Sequence, residues 1–192
     1  MARVGDPIDT TTRLVTVGHG TASAEDFAAL MSRAGLSLLV DVRTAPGSRR
    51  HPQFNRAELE QWLPAAGVRY RWEGALGGFR RTSAESPNTA LRHPSFRGYA
   101  DYMQSPVFDD ALRRLLDEAR HEAVTVMCSE SLWWRCHRRL IADAAMLRFA
   151  VDVRHLGHDG RLTPHRLTEG VRVDEQGGLV YDAGEPPLPL EG

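Results

Sequence analysis

The chain has 192 residues, of which 42% are hydrophobic and 26% charged, and its formal net charge is −1. This balance is typical of a globular protein with one sizeable core, and it excludes a polycation that binds nucleic acid over its whole surface. No apolar run is long enough to span a bilayer. Two cysteines without a hydrophobic export segment predict a soluble, cytoplasmic protein of bacterial type with no membrane partner.

The first part of the chain predicts a strand–helix–strand unit behind a polar leader. Residues 1–12 are polar and are predicted to be flexible. Residues 14–17 form a short apolar run typical of a buried strand. Ser23 then caps a predicted helix that Gly35 ends, and residues 36–42 form a second, continuous apolar strand. Two buried strands joined by a helix indicate a right-handed crossover and a parallel pair.

The rest of the chain continues this alternation. Residues 73–97 show no regular pattern, and such long segments are usually functional or disordered. The other predicted elements are a helix at 56–66 capped by Asn55, strands at 68–72, 123–127 and 151–155, a helical turn at 99–103, a helix at 106–120, and a hairpin of 171–173 and 179–181. Together they predict a single α/β domain at residues 13–182, with a Rossmann-like, mostly parallel sheet flanked by helices and a small C-terminal hairpin. Residues 183–192, acidic and rich in proline, are predicted to be disordered.

Residues 128–139 hold both cysteines together with a glutamate, a histidine and three arginines. They lie where a strand passes into a predicted helix. The helix is predicted because Cys136 falls on an apolar stripe with helical spacing, and Ser129 or Ser131 would cap it. Cys128 lies at the strand end before a helix N-terminus, a position that lowers a thiol pKa, and is expected to be the more reactive thiol. Cys136 is expected to stay protonated, either in the core or as a ligand-binding group.

Titratable side chains follow four separate predicted strands. His19 follows the first, Asp41 and Arg43 the second, Cys128 a later one, and His155 the last. Because the carboxyl ends of parallel strands share one edge of a sheet, where α/β proteins bind ligands, we expect these residues to lie near one another. The predicted catalytic residues are Cys128 as nucleophile or proton donor, Glu130 and His19 as acid or base, and Asp41.

Residues 43–56 place arginines, a serine and backbone N–H groups on a bent loop with two prolines and a glycine. Arginine matches phosphate oxygens in a forked geometry, so the loop predicts an anion site, and Gly77-Gly78 near Arg80 is a second candidate. Asp41 and Arg43 are equally consistent with a structural salt bridge. The predicted ligand-binding residues are Arg43, Ser48, Arg49, Asn55, Gly77, Gly78, Arg80, Cys136, His137, Arg138 and His155.

A metal site is the other chemistry that cysteine and histidine suggest. Cys128, Cys136 and His137 with one distant histidine would supply four zinc ligands. The spacing is not that of a paired CxxC site, and adjacent residues on a helix point in different directions. The interpretation therefore assigns no metal and leaves the cofactor unknown.

Six short segments in a fixed order resemble one protein family. They are Val17-Gly18-His19, the run Asp41-Val42-Arg43-x-x-Pro46-x-Ser48-Arg49-x-x-Pro52-x-Phe54-Asn55, Leu76-Gly77-Gly78, Tyr99-Ala100-x-Tyr102-Met103, Cys128-x-Glu130 and Cys136-His137-Arg138. Over residues 14–165 this set resembles the domain-of-unknown-function family numbered 488. The chain departs from the family pattern at Gly20, at Ser129 and at residues 132–134, which are usually more polar. The resemblance implies a shared site and supplies no reaction.

Three functions are consistent with these residues. The preferred one is an enzyme acting on a phosphate-bearing small molecule, such as a nucleotide, or on nucleic acid, through a Cys/Glu/His/Arg site. The second is a non-catalytic nucleic-acid-binding module that stacks bases on Trp72, Phe79 or Trp133. The third is a rhodanese-like persulfide carrier with Cys128 at the strand end. The presence of Glu130 so close to the thiol fits this role poorly.

Overall fold

A computed structural model describes residues 12–182, so the tail and all but Thr12 of the predicted leader lie outside the described residues. The strands are β1 (Arg13–Gly18), β2 (Leu38–Asp41), β3 (Arg69–Trp72), β4 (Val124–Cys128), β5 (Asp152–Leu156), β6 (Leu162–Pro164), β7 (Val171–Val173) and β8 (Leu179–Tyr181). The main sheet has the order β3-β2-β4-β1-β5-β6, and β7 and β8 form a separate hairpin. Strands β1 to β5 are parallel and β6 runs antiparallel to β5, which confirms the predicted fold class.

Five α-helices in the described part of the chain cover both faces of the sheet. They are α1 (Ala24–Arg33), α2 (Arg56–Ala65), α3 (Pro94–Tyr102), α4 (Pro106–His121) and α5 (Arg138–Phe149). Helices α1 and α2 pack on one face, and α3, α4 and α5 pack on the other. Leu14 and Val15 enter opposite layers, because successive side chains of a strand point to opposite faces. No described helix is both long and apolar enough to cross a membrane.

Two helix starts differ from the predictions. Helix α3 begins at Pro94, since the ring of His93 caps it and proline suits the first helical position, so it is longer than the predicted turn at 99–103. Helix α5 begins only at Arg138, and neither Ser129 nor Ser131 caps it. The residues before it form a loop with a single 3₁₀ turn at Trp133–Arg135. This loop, rather than a helix, carries the second half of the cysteine motif.

Strand β4 lies between β2 and β1, so its carboxyl end occupies the middle of the sheet edge. The backbone N–H of His19 donates to the carbonyl of Cys128 at 2.9 Å, and that of Val42 donates to Met127 at 3.0 Å. These bonds hold together the segments that follow β1, β2 and β4. The fold therefore brings the ends of three separate strands to one place.

Candidate active site

A cleft of about 1160 Å³ opens at this carboxyl edge. Its walls come from the segments after β1, β2 and β4 and from residues near 78 and 93–96. Of the predicted site residues, the cleft is lined by His19, Arg43, Ser48, Arg49, Gly78, Cys128, Glu130, Cys136 and His137. The sheet edge at which a ligand site was expected therefore contains a cavity large enough for a small molecule.

The floor of the cleft carries two thiols and an imidazole. Nδ1 of His137 lies 3.9 Å from Sγ of Cys128 and 3.7 Å from Sγ of Cys136. The other ring nitrogen, Nε2, lies 3.0 Å from the carbonyl oxygen of Val42. Because a carbonyl oxygen accepts hydrogen bonds and cannot donate them, Nε2 carries the proton. The second ring nitrogen, Nδ1, faces both sulfur atoms.

Cys136 and His137 converge although they are adjacent in sequence. The sequence interpretation placed both on a helix, where neighbours point apart. In the structure both precede α5, and Cys136 has an extended backbone with φ −124° and ψ 150°. The steric reason for rejecting a shared site for these two residues is therefore wrong.

Arg138 lies beneath this floor and is the largest fully buried side chain, with 1% of its surface exposed. Its Nε donates to Sγ of Cys136 at 3.4 Å, its Nη1 to Oγ1 of Thr16 at 3.2 Å, and its Nη2 to the carbonyl of Glu130. It forms no ion pair with a carboxylate in residues 12–182. A buried cation requires compensation, and the sulfur of Cys136 is the group in contact that can carry negative charge.

The two thiols differ in acidity. The neighbouring thiol of Cys128 lowers the pKa of Cys136 to about 6 against the effect of burial, and the guanidinium of Arg138 acts in the same direction. The neighbouring Cys136, followed by burial, raises the pKa of Cys128 to about 12. These directions are opposite to the prediction that Cys128 is the more acidic thiol and that Cys136 stays protonated. The main cause is the proximity of the two sulfurs, and the contact of the guanidinium with Cys136 adds to it.

His19 belongs to the cleft wall, with both ring nitrogens engaged. Nδ1 donates to the carbonyl of Gly20 at 3.0 Å, and Nε2 accepts from Nη1 of Arg43 at 3.3 Å. The ring stacks on Phe54 with centroids 4.2 Å apart. Burial, followed by the charge of Arg43, lowers the pKa of His19 to about 4. His19 is therefore neutral at pH 7 and helps to position Arg43.

Asp41 lies below the cleft and does not line it. Its Oδ1 accepts from Nε of Arg43 at 2.8 Å, and its Oδ2 accepts from Nη2 of Arg43 at 2.6 Å and from the hydroxyl of Tyr70 at 2.9 Å. The carboxylate is fully buried. Of the two interpretations, the structural salt bridge is the one observed, and the carboxylate that was predicted to be catalytic does not line the cleft.

The rim of the cleft combines positive charge with exposed aromatic rings. Arg49, Arg50 and Arg135 are exposed there, and none of them forms an ion pair with a described residue. Glu130 is the single carboxylate among the described residues that line the cleft. The aromatic lining residues are Phe79, Phe96 and Trp134. The rim thus offers cations for an anion and flat surfaces for a ring.

Phe79 stands out among these rings. It is 88% exposed and has a φ of 58°, in the left-handed region that non-glycine residues rarely adopt. Such a conformation costs on the order of 1 kcal/mol and is found most often at functional sites. Neither burial nor backbone preference accounts for phenylalanine at this position.

The sequence matches the model of a known protein family. The family model described as "Domain of unknown function DUF488" matches residues 23–145, which is more than half of the chain. The chain belongs to the DUF488 family. The resemblance predicted from its short segments is confirmed. A search of curated proteins and a search of solved structures found no match.

Several of the ligand-binding residues predicted for this DUF488 chain lie away from the cleft. They are Asn55, Gly77, Arg80, Arg138 and His155. Asn55 accepts a hydrogen bond from the backbone of Ser48 and so shapes the arginine loop without reaching the cleft. Arg80 lies over the ring of Tyr102, 4.0 Å from its centroid. These side chains support the walls of the cleft, and direct contact with a ligand is not expected from them.

His155 belongs to a buried chain of hydrogen bonds on the α5 side of the sheet. Its Nδ1 accepts from Oγ1 of Thr16 at 2.7 Å, its Nε2 donates to Nδ1 of His165 at 2.9 Å, and Nε2 of His165 donates to Asp143 at 2.8 Å. Trp133 stacks on His155 at 4.0 Å. Burial, followed by neighbouring positive charge, lowers the pKa of His155 to about 3. His155 is thus a neutral structural group. It orients the hydroxyl of Thr16, which in turn accepts a hydrogen bond from Arg138.

The cleft also contains residues that the sequence interpretation did not select. Among them are Arg50, His51, His93, Phe96, Trp134 and Arg135. Arg50 and Arg135 lie directly beside selected residues, so counting every arginine of the two basic stretches would have included them. The position of His93 depends on the long loop before α3, and nothing in the local sequence indicates it.

Proposed function

We propose that this DUF488 protein is an enzyme that binds a phosphate-bearing ligand of the nucleotide class in the cleft. The observation that carries the proposal is the charge on the rim. Arg49, Arg50 and Arg135 face one cavity, have no ion-pair partner among the described residues, and stand against the single carboxylate of Glu130. Arginine is the side chain that best matches phosphate oxygens.

The aromatic lining supports a ligand that also carries a flat ring. Phe79 and Trp134 are exposed, and stacking of a base on an aromatic ring contributes about 1–3 kcal/mol. The floor supports catalysis over passive binding, because Cys128, Cys136 and His137 place sulfur and imidazole groups in the same cleft as the arginines. A persulfide carrier is less well supported, since Cys128 is only 8% exposed, and the neighbouring Cys136, followed by burial, raises its pKa.

The test is calorimetric titration with inorganic phosphate, adenosine, adenosine diphosphate and a short single-stranded oligonucleotide. Adenosine diphosphate should bind more tightly than either of its parts. Arg49→Ala should weaken it about tenfold or more, because a hydrogen bond to a charged group contributes about 1.5–3 kcal/mol. Arg33→Ala is the matched control, since Arg33 is exposed at the end of α1 and does not line the cleft.

Two results would contradict the proposal. If none of the phosphate-bearing probes binds to the folded protein, the arginine rim is not an anion site. If the oligonucleotide binds and adenosine diphosphate does not, the non-catalytic nucleic-acid module is the better description. Mass spectrometry of each probe after incubation with native protein and with Cys136→Ser reports whether binding leads to a chemical change.

A further inference from the structure

We propose that Cys128, Cys136 and His137 bind one zinc ion at the floor of the cleft, with the fourth coordination position open to the cavity. The proposal concerns residues distinct from the arginine rim, and it does not depend on which ligand the rim takes. Its basis is the geometry of the three side chains, the hydrogen bond from the histidine to the carbonyl of Val42, and the hydrogen bond that Arg138 donates to Cys136.

The distances fit a tetrahedral ion. Zinc bonds of about 2.3 Å to sulfur and 2.0–2.1 Å to nitrogen place sulfur and nitrogen about 3.6 Å apart and two sulfurs about 3.8 Å apart. The observed distances from Nδ1 of His137 are 3.9 Å to Cys128 and 3.7 Å to Cys136. All three ligand atoms lie within 4.8 Å of one another. Shifts of a few tenths of an ångström to about 1 Å would complete the coordination, so no backbone rearrangement is required.

His137 is oriented as a metal-binding histidine is. Its Nε2 donates to the carbonyl of Val42, and this bond directs Nδ1 at the sulfurs, as the hydrogen bonds behind metal-binding histidines do. The ring packs edge-on against Tyr99, with centroids 5.1 Å apart, which restricts its rotation. Gly78 keeps the space beside Nδ1 open, because a Cβ there would lie 3.1 Å from that atom.

Hydrogen bonding at the floor agrees with a thiolate-bound cation. Two thiolates neutralise Zn²⁺, and Nε of Arg138 donates to Sγ of Cys136, as hydrogen-bond donors around metal-bound thiolates do. Binding forms two Zn–S bonds and one Zn–N bond. Each thiol that is still protonated releases its proton to water, and nothing is oxidised or reduced.

Three protein ligands with one open position is the arrangement of catalytic zinc sites, whereas structural sites have four protein ligands. Cys128, Cys136 and His137 all line the cleft, so the open position faces the space in which a ligand would lie below the arginines. An ion there would act as a Lewis acid on an oxygen of that ligand or on a water molecule. The inferred site therefore adds a metal to the groups available for catalysis.

The experiment loads the reduced, chelator-treated full chain with zinc alone and then with cobalt(II) alone, in the absence of any nucleotide. One equivalent of zinc should remain after desalting, and cobalt should give the thiolate charge-transfer and tetrahedral d–d bands of an S₂N site. Cys128→Ser and His137→Gln should each lower zinc affinity about 100-fold or more, the effect expected when a ligand rather than its supporting partner is lost. His51→Gln, which alters another histidine of the same cleft, should keep it within about twofold of the native value.

Two results would overturn the inference. The first is native protein, folded by circular dichroism, that retains no zinc and gives no thiolate band with cobalt. The second is zinc affinity that is the same in native protein and in folded Cys128→Ser or His137→Gln. The spectrum of the native chain requires no variant, so misfolding of a substituted protein leaves the test intact.

Discussion

Replacing His155 with glutamine should remove a defined part of the pH dependence of stability. His155 is 3% exposed, lies between Thr16 and His165 in the hydrogen-bond chain, and stacks on Trp133. The groups that face it are neutral or positive: His165 from the segment after β6, and Arg138 from α5. Protonation in the fold would therefore add a buried, uncompensated charge.

The sign and size of this pH dependence follow from the pKa of His155 in the folded and in the unfolded chain. Burial lowers the pKa of His155 from 6.5 to about 3, so the unfolded chain binds a proton at a higher pH than the folded chain does. The contribution of this group to stability is complete above pH 6.5 and is lost progressively as the pH falls toward 3. Between pH 7.5 and pH 5.0 the loss is about 2 kcal/mol.

The assay is urea denaturation followed by tryptophan fluorescence at several pH values from 7.5 to 5.0. His155→Gln should be less stable than the native chain at pH 7.5, and the difference between the two should shrink by about 2 kcal/mol at pH 5.0. His19, whose pKa also lies low, is present in both proteins and cancels from the comparison. Two stability curves that run parallel across this range would refute the assignment of His155 as a buried neutral group.

Three other perturbations probe the cleft and its floor. Phe79→Gly should leave the unfolding free energy unchanged or raise it by up to about 1 kcal/mol, because it relieves the left-handed backbone, yet calorimetry should show weaker binding of adenosine diphosphate. Arg138→Met should lower the unfolding free energy in urea by about 3 kcal/mol, whereas Arg33→Met should change it by less than about 0.5 kcal/mol. Zinc at about 100 times its dissociation constant should stabilise the chain by about 2.7 kcal/mol, seen as a melting temperature about 5–10 °C higher that a chelator reverses.

The fold could be predicted because its strands are short apolar runs and its helices carry local start and stop signals. Ser23 accepts a hydrogen bond from the backbone of Asp26, and Gly35 takes a φ of 65° at the end of α1, as those residue types predict. Strand β6 was missed because its three residues are exposed and form no apolar pattern. Pairing with β5 holds it in place, and a local pattern does not indicate that pairing.

The site was predicted in part, and the errors have a common cause. A strand end locates a residue along the sheet but does not decide which neighbours enclose it. Cys128 ends its strand in the cleft, whereas His155 lies near the end of β5 beneath Trp133 and away from the cleft. The apolar stripe through Cys136 indicated a helix, but tertiary contacts of the loop at residues 129–137 delay the helix start to Arg138. These contacts join distant segments, so periodicity within one segment cannot predict them.

The most direct measurement of the central claim is a crystal structure of the protein with adenosine diphosphate bound. The account predicts phosphate oxygens within hydrogen-bonding distance of Arg49 or Arg135, with the base against Phe79 or Trp134 and the phosphates above Cys136. A nucleotide bound outside this cleft, or a cleft that stays empty at ligand concentrations that saturate binding in solution, would contradict it.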